Sequence, residues 1–270
     1  MKNKIRAAAI QMCSTPDRHL NLAVAHRLLK KALAHKPHIV ALPESFSFLS
    51  GRSAELRAAA EPLNGVTAGT LQEWAAEYGI WLHGGSIFLK ARDGKITNTT
   101  LLIAPDGTIA ARYDKIHLFD ASLSADKAAY KESSVVKPGR RPGCARTPLG
   151  VMGLSICYDI RFPELYRKLA DAGAHIIFIP AAFTVPSGQA HWDTLTRARA
   201  IENQAFVIAP AQTLSPYPGR RTYGHTRIVD PWGRVLAEMN EGPGVVAADL
   251  DFDDLNRIRS ELPALRHRRI

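Results

Sequence analysis

Apolar runs of strand length alternate with segments of helical period through most of the chain. Residues 5–12 read as a strand. Asp17 then caps a helix in which Leu20, Val24, Leu28 and Ala32 recur every four residues. Residues 38–42 are a short buried-type strand stopped by Pro43, and a helix over 70–78 leads into one strand over 81–89. The turn signals Asp93-Gly94 and Asp106-Gly107 set off further strands over 95–103 and 108–113.

The second half repeats the plan. The pattern predicts a strand over 151–156, a helix over 163–172, a strand over 175–179 closed by Pro180, a helix over 191–203 and a strand over 206–211. Strands over 226–229 and 235–239 flank the turn Asp230-Pro231-Trp232-Gly233, and 245–250 follows as the last strand. His38-Ile39-Val40-Ala41-Leu42-Pro43 and His175-Ile176-Ile177-Phe178-Ile179-Pro180 resemble each other, each after a helix. Two related halves packed sheet against sheet, with helices outside, predict an α/β fold: a four-layer α-β-β-α sandwich as one domain over residues 1–270. Residues 114–146 stand apart, with no sustained period and a length that compact domains reserve for functional or disordered loops.

Composition narrows the class. Hydrophobic residues make up 46% and charged ones 22%, which excludes a disordered chain. No run reaches the roughly 18 apolar residues of a membrane span. The basic start Met1-Lys2-Asn3-Lys4-Ile5-Arg6 is followed by too short an apolar stretch for a secretory signal, so a soluble cytoplasmic protein is expected. The net charge of +10 is spread along the chain without interleaved aromatic-basic motifs, which favours a small anionic substrate over nucleic acid. Cys13, Cys144 and Cys157 form no CxxC pair, so neither a disulfide framework nor a zinc site is expected. The phosphate-loop, dinucleotide, zincin and serine-hydrolase motifs are missing as well. Asn98-Thr99-Thr100 matches a glycosylation acceptor by chance, and the ten histidines read as structural.

Cys157 stands at a strand end, with Tyr158-Asp159-Ile160-Arg161-Phe162-Pro163 leading into a helix. A thiol at such a turn gains from backbone N–H groups and the positive helix end, which lower its pKa. Leu42-Pro43-Glu44 places a carboxylate past another strand, and Asp114-Lys115-Ile116-His117 a lysine past a third. Strand-end loops cluster in α/β folds, so these three side chains can converge although far apart in sequence. Together they supply a general base, a cationic oxyanion stabiliser and a nucleophile.

In this ordered set the chain resembles the nitrilase superfamily of carbon–nitrogen hydrolases, closest to its deaminated-glutathione amidase and omega-amidase branch. The Glu-Lys-Cys triad matches Glu44, Lys115 and Cys157-Tyr158-Asp159-Ile160-Arg161-Phe162-Pro163-Glu164. Further matches are His191-Trp192, Arg197-Ala198-Arg199-Ala200-Ile201-Glu202-Asn203, and Tyr223-Gly224-His225-Thr226. The resemblance implies the same four-layer sandwich and a second glutamate near the site, Glu132 in Tyr130-Lys131-Glu132-Ser133. It implies an amidase that forms a cysteine thioester, with the Tyr158 N–H beside Lys115 at the oxyanion and no metal or organic cofactor. The expected substrate is a linear, carboxylate-bearing amide, deaminated glutathione or the omega-amide of a 2-oxo acid, hydrolysed to acid plus ammonia. An N-carbamoyl amino acid amidohydrolase and a true nitrilase are the alternatives.

Arg161, four residues after Cys157, is the candidate partner for the substrate carboxylate, the competing reading being a pair with Asp159 or Glu164. Phe183 and Thr184 are expected to line the same pocket. The resemblance also implies a homodimer or larger homo-oligomer. The tail over about 251–270, with Leu250, Phe252, Leu255, Ile258, Leu262 and Leu265 among charges, would dock at its interface.

Overall fold

The computed structural model describes residues 3–123 and 128–269. The basic start at Met1-Lys2, the middle of the irregular stretch at 124–127 and the last tail residue, Ile270, lie outside the described residues. In chain order come β1 (Lys4–Gln11), α1 (Arg18–Leu33), β2 (Ile39–Ala41), α2 (Ser53–Ala59) and α3 (Val66–Tyr78). They are followed by β3 (Trp81–His83), β4 (Ile87–Lys90), β5 (Ile96–Ile103) and β6 (Ile109–Asp114). A hairpin of β7 (Asp120–Leu123) and β8 (Ala128–Lys131) precedes β9 (Gly143–Thr147), β10 (Gly150–Leu154), α4 (Pro163–Asp171), β11 (Ile176–Phe178) and α5 (Val185–Asn203). The chain continues through β12 (Phe206–Ala209), β13 (Thr213–Tyr217), β14 (Arg220–Tyr223), β15 (Arg227–Val229), β16 (Val235–Glu238), β17 (Gly244–Asp251) and α6 (Phe252–Glu261).

Two sheets carry the fold. One runs β17-β1-β2-β3-β5-β4 with β6 added on β5, and the other runs β16-β15-β12-β11-β10-β9. Successive side chains of a strand point to opposite faces, and β1 uses both. Ile5, Ala7 and Ala9 join the core shared with Met152, Phe178 and Val207 of the second sheet, whereas Ala8 and Ile10 face Leu28, Leu29 and Leu71 of α1 and α3. On the far side, Leu165, Tyr166, Leu169 and Trp192 of α4 and α5 cover the second sheet. The layers are therefore α-β-β-α, as expected.

The topology also sets where the loops gather. β1, β2 and β3 are parallel, as are β10, β11 and β12. β5 opposes β3 and β6 opposes β5, so β6 runs in the same direction as β2. The segments leaving β2, β6, β10 and β11 thus emerge at strand C-terminal ends, where open α/β sheets hold their ligands.

Several expectations are corrected. The strand over 81–89 is two strands, broken at Gly84-Gly85. Gly85 has φ +57°, and a Cβ there would lie 2.1 Å from the Pro43 carbonyl oxygen, so only glycine lets the Leu42-Pro43-Glu44 segment pass this close. α5 begins six residues before the expected 191, because Pro186 falls in its first turn, where the missing N–H costs nothing. The stretch over 114–146 is not irregular throughout: it holds β7, β8 and β9. The tail starts with α6, capped by the Asp251 carboxylate on the N–H groups of Asp253 and Asp254. Leu250, Phe252, Leu255 and Ile258 are buried in the chain's own interior, and it is Leu262, not these four, that stands exposed. No described helix is long and apolar enough to cross a membrane.

Candidate active site

Glu44, Lys115, Glu132 and Cys157 meet at one end of the two sheets. Glu44 follows β2 in a tight turn held by the Ser45 N–H on Ser86 Oγ at 2.9 Å, and Ser45 itself has φ +55°. Lys115 follows β6, where its N–H bonds to the Asn98 carbonyl at 2.8 Å and its carbonyl accepts from Gly139 N at 2.8 Å. A Cβ on Gly139 would lie 2.0 Å from the Asp114 carbonyl oxygen, so that glycine lets the two segments close on each other.

Lys115 is only 2% exposed. Its ammonium donates to Glu44 Oε1 at 3.0 Å and to Glu132 Oε2 and Oε1 at 2.9 and 3.1 Å. Glu132 Oε2 also accepts from the Phe119 N–H at 2.7 Å, so this carboxylate is a partly buried partner of the lysine and not a solvent-facing group. Burial pulls the Lys115 pKa down, but Glu132 and Glu44 together outweigh it and hold the lysine well above its ordinary value.

Cys157 follows β10, buried, with its N–H on the Pro180 carbonyl at 2.9 Å and φ +47°. Such a backbone costs about 1–3 kcal/mol at a non-glycine residue and persists where neighbours over-determine it. Glu44, Lys115 and the Ala182 N–H are all close enough to the sulfur to act on its titration. The expectation of a lowered thiol pKa is overturned. Burial and then the Glu44 carboxylate push it well above the ordinary value, against the opposing pull of Lys115. Part of the physical reason lies in the turn itself: Cys157–Arg161 is a 3₁₀ turn, and α4 begins only at Pro163, so the α-helix expected directly after the cysteine starts six residues further on. The lysine charge, in turn, is already shared between two carboxylates.

Asp159 ties the lysine segment to the cysteine turn. Fully buried, it accepts from Tyr113 OH at 2.7 Å, Ile156 N at 2.8 Å and His117 N at 3.0 Å, and meets His117 Nδ1 at 2.7 Å. Arg199 of α5 donates to the Ile160 carbonyl at 2.8 Å and so braces the turn, while Trp192 of the same helix donates to the His225 carbonyl at 2.8 Å.

A cavity of about 350 Å³ opens onto the cluster, and Tyr158, Arg161, Phe183 and Thr184 all line it. Arg161 pairs with neither Asp159 nor Glu164. Its guanidinium lies 5.2 Å from the Phe183 ring centre and 5.7 Å from that of Tyr158, with Nη1 3.2 Å from His191 Nδ1. Sequence reasoning missed Asn98, whose buried amide donates to Glu44 at 3.1 Å and to Glu132 at 3.4 Å. The available signal was the polar run Thr97-Asn98-Thr99-Thr100 inside a strand buried at every position. Phe119, Tyr130, Tyr217 and Arg220 also line the cavity and were not singled out. Among the described residues no cluster of His, Cys, Asp and Glu could hold a metal ion.

The carbon–nitrogen hydrolase family model matches residues 6–260. The chain belongs to the carbon–nitrogen hydrolase family. It is 44% identical over 266 residues to the deaminated glutathione amidase of Synechocystis sp., covering 97% of both chains. The crystal structure of the Caenorhabditis elegans NitFhit protein superposes with a TM-score of 0.92 at 38% identity, covering 99% of this chain and 66% of that one. Saccharomyces cerevisiae Nit3, a member of branch 10 of the nitrilase superfamily, superposes with a TM-score of 0.90 at 30% identity, covering 100% and 98%. The chain is thus an amidase of the nitrilase superfamily, and the carbon–nitrogen hydrolase match spans both sheets.

Proposed function

We propose that this amidase cleaves a linear amide carrying a carboxylate, deaminated glutathione first among them, through a thioester on Cys157. The observation that carries the reading is a cationic Arg161 facing the same cavity as the Glu44, Lys115 and Cys157 cluster. Glu44 takes the thiol proton as sulfur attacks the amide carbon, which a thiol with a raised pKa requires. Lys115 and the Tyr158 N–H stabilise the oxyanion, while Glu132 and Asn98 hold Lys115 and Glu44 in place. Glu44 then protonates the departing nitrogen and activates the water that hydrolyses the thioester. The scheme uses no metal or organic cofactor.

The expected product pair needs one correction. In deaminated glutathione the scissile nitrogen belongs to cysteinylglycine, so that dipeptide departs; ammonia departs only from the omega-amide of a 2-oxo acid. The test is a screen of amine and ammonia release from deaminated glutathione, 2-oxoglutaramate, N-carbamoyl amino acids, simple nitriles and an uncharged aliphatic amide. The two 2-oxo acid amides turn over fastest. Faster turnover of the uncharged amide overturns the role given to Arg161.

Two further features fit this reading. Cys13, Cys144 and Cys157 are all free thiols, as a reducing compartment such as the cytoplasm keeps them. Ile201, Trp232, Val235, Leu236 and Leu262 are large exposed apolar side chains, and Ile201 packs at Gly233 beside Trp232. They supply the surface for a homodimer, with the tail joining through Leu262. Sedimentation as a 29.6 kDa particle at micromolar concentration contradicts the dimer.

A further inference from the structure

Arg220 opens β14 and stands where the inner cavity meets a second, shallower groove lined by Tyr130, Val185, Pro186, Tyr217 and Gly219. Arg161 lines the inner cavity alone. The Arg220 side chain is pinned on two sides. Its Nη2 donates to the Ala182 carbonyl at 2.6 Å, and its guanidinium carbon lies 4.9 Å from the centre of the Tyr130 ring. Its Nε is buried without a hydrogen-bond partner, and among the described residues neither Arg220 nor Arg161 forms an ion pair. The adjacent Arg221, by contrast, reaches Glu241 at 3.3 Å.

Leaving a buried guanidinium donor unmade costs free energy, and a carboxylate presented edge-on satisfies it with two parallel bonds. The charge balance points the same way. The cavity wall carries Glu44 and Glu132 against Lys115, Lys131, Arg161 and Arg220, which leaves room for two negative charges on the occupant. Its volume falls within the range of about 300–1,000 Å³ typical of small-molecule sites.

We propose that Arg220 is a specificity residue that binds a second substrate carboxylate, carried by the departing amine, while Arg161 holds the one on the acyl side; this rests on the acid-bearing amide reading given above. The occupant class is then an amide whose leaving group is itself a peptide-like acid. With the reacting carbonyl at Cys157, the acyl carboxylate sits inside on Arg161 and the leaving-group carboxylate reaches the mouth at Arg220. Tyr130 supports the guanidinium from the opposite hairpin.

The test compares three substrates in steady-state kinetics: deaminated glutathione, the same molecule with its glycine carboxylate converted to a carboxamide, and 2-oxoglutaramate, which has no leaving-group acid. Wild-type enzyme loses roughly ten- to hundredfold in kcat/KM on amidation, mostly through KM, as expected for one lost charge-assisted bond pair. Arg220→Met loses the same factor on deaminated glutathione, no longer distinguishes it from its carboxamide, and keeps 2-oxoglutaramate turnover within about twofold. Arg220→Lys restores part of the discrimination. Wild-type indifference to amidation, or an equal loss on all three substrates in both variants, overturns the assignment while leaving the thioester amidase intact. Wild-type enzyme that hydrolyses neither 2-oxo acid amide overturns the underlying reading as well.

Discussion

Lys115 and Arg220 are both cations of one cavity, yet the protein holds them by opposite means. Lys115 sits at a strand end, buried, with three hydrogen bonds to two carboxylates that are themselves held by Asn98 and a backbone N–H. Arg220 sits on a two-stranded hairpin, held by one carbonyl and the face of an aromatic ring, and it forms no ion pair among the described residues. The floor of the cavity is thus electrostatically closed before substrate arrives, and its rim is left open. Charges on the floor are committed to each other and to the reacting atoms. Those on the rim remain for the substrate to satisfy.

The sharpest way to break this contrast is to remove the floor cation. Lys115→Met leaves the buried Glu44 and the partly buried Glu132 without their counter-charge, and removing one partner of a buried pair costs about 3–5 kcal/mol. It also removes an oxyanion donor, worth about 10²–10³ in kcat. Urea unfolding and steady-state rates on any amide substrate check both; a variant as stable as the parent contradicts the closed floor.

Arg161, inside the cavity and also free of ion pairs among the described residues, behaves differently from Lys115. Arg161→Met raises KM for acid-bearing amides by roughly ten- to hundredfold and leaves an uncharged amide unaffected, as loss of a charge-assisted bond predicts. Its stability cost stays below about 1 kcal/mol, the value of a partly exposed cation on aromatic faces. An equal fall for charged and uncharged amides contradicts the carboxylate-binding role of Arg161.

The smallest effect concerns the resting thiol. Burial and Glu44 both raise the Cys157 pKa, so the thiolate fraction at pH 7 is below that of free cysteine and grows as pH rises past 9. Iodoacetamide labelling of the parent is therefore slow at neutral pH and climbs with pH. In Glu44→Gln the raising charge is gone and the pull of Lys115 remains, so the labelling curve moves to lower pH although hydrolysis is lost. A curve that moves upward, or stays put, contradicts the Glu44 contact.

The same contrast explains how much the sequence revealed. The floor was legible because Glu44, Lys115 and Cys157 each follow an apolar run of strand length, and their order is the family's. Arg161 and Phe183 were legible as neighbours of those ends. The short strands carrying Tyr130 and Arg220 were not, because strands of four or five residues leave no period to read. Asn98 was passed over because its triplet was set aside as a chance glycosylation match, which gives no sign that the residue is buried between two carboxylates. The pKa of Cys157 went wrong for a different reason. Position along the chain shows a strand-to-helix turn, but not that a carboxylate lies against the sulfur. The layer order and the long strands and helices were read correctly, while the short strands β7, β8, β13 and β14, the tail helix α6 and the glycine pair that splits a strand to make room for Glu44 were not.

The central claim is that the reaction passes through an acyl group on the Cys157 sulfur. The direct measurement is to mix enzyme with deaminated glutathione and hydroxylamine, assay for the hydroxamate of the acyl fragment, and map any acyl mass on peptides from acid-quenched enzyme. The account predicts hydroxamate that increases with hydroxylamine concentration and an acyl mass on the Cys157 peptide, both lost in Cys157→Ala along with turnover. Undiminished hydrolysis by Cys157→Ala, or turnover by the parent with neither hydroxamate nor acylated peptide, would contradict it.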